Sequence, residues 1–141
     1  MKNFIFLTLL LGLFSFTSCK DDDGPHSAYD YGVHIHSPNT DDKHVGDSLH
    51  IEIEFHEHDA GIVHHANVKL YNKATGNVIF SGPNPAHVHT EDTYTFKHSL
   101  ILDAANQVEG HTDWILVGSV WGENDGESIQ KDSIEFHLHP M

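Results

Sequence analysis

Ser48-Leu-His-Ile-Glu-Ile-Glu-Phe-His-Glu-His58 decides the fold. Leu49, Ile51, Ile53 and Phe55 alternate with His50, Glu52, Glu54 and His56. Successive side chains on a strand point to opposite sides, so a period of two means one buried face and one wet face. The same stretch shows where this chain keeps its histidines: on the wet face, two residues apart.

Working outward, other segments repeat the pattern. In 31–37, Val33 and Ile35 oppose His34 and His36, and Pro38-Asn39 ends the run. After the turn at Asp59-Ala60-Gly61, segment 62–72 alternates Val68 and Leu70 with Asn67, Lys69 and Tyr71. A hairpin turn at Lys73-Ala-Thr-Gly-Asn77 leads into 77–81, and Ser81-Gly-Pro-Asn-Pro85 breaks the sheet. Segment 92–102 gathers Tyr94, Phe96, Leu100 and Leu102 on one face, with His98 among them as a core or rim histidine. Segment 112–121 is nearly continuous in apolar residues from Trp114 to Trp121. Asn124-Asp125-Gly126 is a tight-turn signal. The last segment, 132–139, alternates Ile134, Phe136 and Leu138 with Glu135, His137 and His139. No segment has a helical period. About seven strands joined by short turns predict an all-β chain, an antiparallel sandwich of the immunoglobulin or fibronectin type.

The amino end reads differently. A short basic start precedes an apolar run from Phe4 to Phe16, too short to span a bilayer as a helix and suited to a signal peptide. Phe16-Thr17-Ser18-Cys19 resembles the lipobox of bacterial lipoproteins, which implies cleavage before Cys19 and acylation of that residue. Lys20-Asp21-Asp22-Asp23 resembles the acidic tag of surface lipoproteins of the Bacteroidota, which implies an outer-membrane anchor facing outward. The expected organisation is a lipoprotein signal peptide over 1–18, an acidic tether over 19–30 and a histidine-rich β-sandwich domain over 31–141. Cys19 is the one cysteine, so no disulfide can form within the chain. The stability of the single domain must come from its core or from bound metal.

Seven Lys and Arg stand against 21 Asp and Glu, a formal charge of −14, and no arginine occurs. Such a surface repels nucleic acid and gathers cations.

Histidine accounts for 15 of 141 residues. Ten of these fall in pairs: His34/His36, His56/His58, His64/His65, His87/His89 and His137/His139. A His-x-His on a strand puts both imidazoles on one side, and neutral imidazole ligates zinc, copper and nickel. In an immunoglobulin-like path, the end of 48–58 (His56, His58), the start of 62–72 (His64, His65) and the loop entering 92–102 (His87, His89) meet at one end. These six form the expected primary site. If 31–37 runs beside 132–139, His34, His36, His137 and His139 form a secondary site, with His44, His50 and His111 toward the same end. Glu54, Glu57, Asp59 or Glu91 could replace a ligand or orient an imidazole.

Other chemistries fit less well. The glutamate of His87-Val-His-Thr-Glu91 follows the pair too soon for a cupin, and a copper–zinc superoxide dismutase needs a disulfide that this chain lacks. A blue-copper site needs a cysteine ligand. No nucleophile elbow, phosphate loop or zinc-protease helix motif is present, so no enzyme is expected, with a metalloenzyme that keeps an open coordination site as a minor alternative. Glu123-Asn-Asp-Gly-Glu127 lacks the EF-hand spacing and reads as a hairpin turn. In its lipobox, its Asp59-Ala60-Gly61-Ile62 turn and its His-x-His pairs, the chain resembles histidine-containing β-sandwich surface lipoproteins of the Bacteroidota, a resemblance that implies a fold more than an activity.

The expected function is therefore capture, buffering or hand-off of Zn2+, or else Cu2+ or Ni2+, by an outer-membrane lipoprotein serving a transporter. Binding would hold above about pH 6–7 and fail as imidazoles protonate. The alternative is an adhesion or interaction module that binds a protein or glycan through aromatics such as Tyr29, Tyr31 and Trp121, with incidental or pH-sensing histidines.

Overall fold

Alternation turns into pairing in the computed structural model, which describes residues 29–59 and 61–141. The expected signal peptide, Cys19 and the tether up to residue 28 lie outside the described residues. In chain order the strands are β1 (Tyr31–Ser37), β2 (Lys43–His44), β3 (Ser48–Glu57), β4 (Ile62–Asn72), β5 (Val78–Gly82), β6 (His87–Glu91), β7 (Thr93–Ile101), β8 (Thr112–Trp121) and β9 (Gln130–His139). A 3-10 turn, Ala104–Asn106, is capped by the side chain of Asp103.

One sheet has the order β1-β3-β7 and the other β2-β9-β8-β4-β5, with β6 also pairing β4. Every ladder is antiparallel except the short parallel one between β2 and β9. This is the immunoglobulin-like β-sandwich that the alternation predicts. Two short strands add to the expected seven: β2, and β6 in place of a loop.

One expected neighbour relation needs correction. β1 pairs with β3 rather than with β9. The chain leaves β1 at Pro38 and crosses to the other sheet, where Lys43 and His44 take the place beside Leu138 and His139. β1 then packs against β8 and β9 across the sandwich.

The core follows the apolar phase of each strand. Leu49, Ile51, Ile53 and Phe55 of β3 face Val68 and Leu70 of β4, Trp114, Leu116 and Val120 of β8, and Phe136 and Leu138 of β9. Burying each such side chain contributes about 1.5–3 kcal/mol. Gly118 sits in the middle of β8 because the sheets approach closely there: a Cβ on it would lie 2.9 Å from Val33 and 3.2 Å from Ile53. His98 is a rim histidine, half-buried and stacked on Phe80 at 4.2 Å between centroids.

Glu57 closes β3 with a buried carboxylate. It accepts the backbone N–H groups of Asp30 (2.8 Å), Asp59 (3.2 Å) and Gly61. Charge-assisted bonds of this kind are the strong ones. They tie the start of β1 to the turn between the sheets. Tyr29 stacks on Tyr31 at 5.2 Å, so the packed part of the chain takes in Tyr29 and Asp30.

Candidate metal centre

The outer face of β9 carries His137 and His139, because Phe136 and Leu138 claim the core. Asp113 of β8 lies directly across the ladder from His137. His111 stands just before β8 in a left-handed conformation (φ +58°), held by its backbone N–H donating to Leu138 O at 2.7 Å. As a result, one ring nitrogen from each of His111, His137 and His139 lies within 4.8 Å of the other two.

Carboxylates orient two of these rings. His137 Nδ1 is 2.7 Å from Asp113 Oδ1, and His139 Nε2 is 3.0 Å from Asp42 Oδ2. A ring N–H given to a carboxylate leaves the opposite nitrogen with its lone pair, ready for a metal. The hydrogen bond from His139 holds the Asp42 carboxyl below its usual range. The His44 ring lies 5.6 Å from that of His139. Three imidazoles fill three of the four positions of tetrahedral zinc and leave the fourth to water or an incoming ligand. His111 is exposed and the other two are half-buried, so an ion here would meet solvent.

The expected primary six divide. His56 lies on the outer face of the β1-β3-β7 sheet, with the exposed His58 stacked on it at 5.8 Å. There Glu54 stands between His56 (2.9 Å) and His36 (3.7 Å), and the rings of His34 and His36 touch edge to face at 4.5 Å. His64, His65, His87 and His89 gather on β4 and β6 of the other sheet. The physical reason is simple: the wet faces of a sandwich point away from each other. Residues at one end of the molecule therefore need not share a face. The same reason separates His34 and His36 of β1 from His137 and His139 of β9. His50 bonds Ser99 across β3 and β7 at 2.9 Å, while His44 does lie beside His139.

On β4, His65 stacks on Trp121 and His64 meets Tyr29 and His89 edge-on. Burial, then the neighbouring His89, pushes the His64 imidazole below its usual range. Glu57, expected as a possible ligand, is instead engaged by backbone N–H groups.

Sequence reasoning set His111 apart from the ligands and missed Asp113 and Asp42 as orienting groups. A signal was present. The β8–β9 ladder is symmetric about Asp125, so the turn read at Asn124-Asp125-Gly126 puts Asp113 opposite His137 and ends the ladder at Thr112 and Leu138, next to His111 and His139.

No family model matches the chain, and no curated protein matches it. Among solved structures it is similar to a CARDB domain from Pyrococcus furiosus. The solution structure of that domain is 14% identical, covering 79% of this chain and 95% of that one at a TM-score of 0.53. Its crystal structure, in complex with di-metal ions, is 13% identical, covering 78% and 88% at a TM-score of 0.52. At such identity the likeness shows the fold alone, an immunoglobulin-like β-sandwich.

Proposed function

We propose that this domain binds a divalent transition-metal ion through His111, His137 and His139. The observation that carries the reading is the meeting of three imidazole nitrogens from neighbouring strands within 4.8 Å. Carboxylate backing at His137 and His139 strengthens it. An all-nitrogen set suits zinc first, and copper or nickel next. The similar Pyrococcus furiosus domain, crystallised with di-metal ions, supports the same reading. The net charge of −14 raises the local concentration of cations.

The lipobox-like Phe16-Thr17-Ser18-Cys19 and the acidic run after it extend the proposal. Acylation at Cys19 would anchor the domain to the outer membrane, facing outward. The role is then capture, buffering or hand-off of metal to an outer-membrane transporter. Metabolic labelling with a fatty acid tests the anchor, since a Cys19→Ala chain should take up no label.

Calorimetric titration of the chain, purified without an added histidine tag, tests the site. Zinc should bind stoichiometrically, and H111Q/H137Q/H139Q should bind one equivalent fewer. Equal stoichiometry in the two proteins would refute the site.

A second reading, an interaction module for a protein or glycan, draws on a shallow groove of about 590 Å³ on the outer face of the larger sheet. Asn67, Tyr71, Trp121, Lys69 and Lys131 line it. That reading expects no stoichiometric metal, so the same titration separates the two.

A further inference from the structure

A separate set of imidazoles meets at the far end of β8. Val63 and Ala66 of β4 are both buried, so His64 and His65 are pushed outward together where the β4–β6 ladder shifts register. Irregularities of this kind re-aim side chains. β6 places His87 directly opposite His65.

His65 is held from two sides. Its ring stacks on Trp121 at 5.3 Å and 7° between planes, and its Nδ1 donates to Gly122 O at 2.7 Å. A carbonyl oxygen only accepts, so Nδ1 carries the proton and Nε2 keeps its lone pair. That nitrogen accepts a hydrogen bond from His87 Nδ1 at 3.2 Å, and an ion would replace the shared proton once His87 carries its own on Nε2. Two nitrogens bound to one tetrahedral zinc at about 2.0–2.1 Å lie about 3.3 Å apart. The two rings thus already stand at the separation that a shared ion imposes.

His89 completes the neighbourhood. It adopts a left-handed backbone (φ +48°), which side chains other than glycine adopt at a cost. Strain of this kind clusters at ligand clamps. The result is a ring stacked 5.5 Å from that of His87.

We propose that His65 and His87 clamp a second divalent transition-metal ion, with His89 turning in as the third imidazole. The inference goes beyond the His111–His137–His139 centre and does not rest on it. The ten residues of β8 separate the two sites by roughly 30 Å at about 3.3 Å per residue.

Calorimetric titration of the untagged full chain with zinc decides it, using H65Q/H87Q, H137Q/H139Q and the two pairs combined. H65Q/H87Q should bind one equivalent fewer than the unaltered chain, and the combined variant two fewer. His87 is exposed, so H87Q alone serves as a variant that leaves the packing intact, and it should also lose that equivalent. If H65Q/H87Q and H87Q bind as much zinc as the unaltered chain, the second site is overturned. If only H137Q/H139Q retains full stoichiometry, the first site fails and the second stands.

Discussion

His137 Nδ1 and Asp113 Oδ1 lie 2.7 Å apart, directly across the β8–β9 ladder. Carboxylates that back a metal-binding imidazole typically tune affinity 10–100-fold. Asp113→Ala should therefore weaken zinc binding at the first centre by at least about tenfold, measured by competition with a chromophoric chelator. Unaltered affinity would show that the pair is an ordinary surface contact.

Metal should also stabilise the fold. An ion that binds only the folded chain at 100 times its Kd contributes about 2.7 kcal/mol. For a domain of this size that raises Tm by roughly 10 °C. The shift should be smaller in H139Q, because one of three ligands is gone. A scan in which zinc moves H139Q as far as the unaltered chain contradicts the assignment.

Glu57→Ala tests the knot between the sheets. The substitution strands the N–H groups of Asp30, Asp59 and Gly61. One orphaned donor costs about 1–3 kcal/mol, so a loss in the upper half of that range is expected in urea unfolding. A near-neutral result would mean that water satisfies all three donors.

Gly118→Ala probes the inter-sheet gap. The new Cβ would meet Val33 at 2.9 Å and Ile53 at 3.2 Å. Overpacking of this kind costs about 1–3 kcal/mol. Gly76→Ala is the contrast: its Cβ meets nothing, so only its left-handed φ of +73° resists the change. A Gly118→Ala protein as stable as its parent would mean that the sheets can part without loss.

Alkaline stability depends on Tyr31. Burial pushes its hydroxyl up to about 12, above its ordinary value of 10.0. The folded chain thus holds the phenol proton more tightly than the unfolded chain does. The stabilisation is fully present below pH 10 and is lost as pH rises toward about 12. Y31F should flatten the fall in stability across that window, read by urea unfolding at stepped pH.

The fold was legible because β3, β7 and β9 alternate without interruption, and an antiparallel sandwich is the simplest way to bury such faces. β2 was not legible, because two residues carry no period. β6 was hidden because His87–Glu91 has no buried face to mark it. The metal centre was half legible. His137-x-His139 stood out as a pair, whereas His111 lies in a turn and gains its place only from the register of β8 on β9. The primary six divide between two faces for a different reason. The sequence tells which face of a strand is wet, but not that β3 and β4 belong to sheets whose wet faces look in opposite directions.

The parallel strip of Lys43 and His44 beside β9 has one more effect. At the level of Leu138, β9 has a neighbour on both sides, so its backbone there offers no free rim onto which another chain could add. Loading the first centre should therefore leave the sedimentation coefficient unchanged, because no strand can add to β9 at that level.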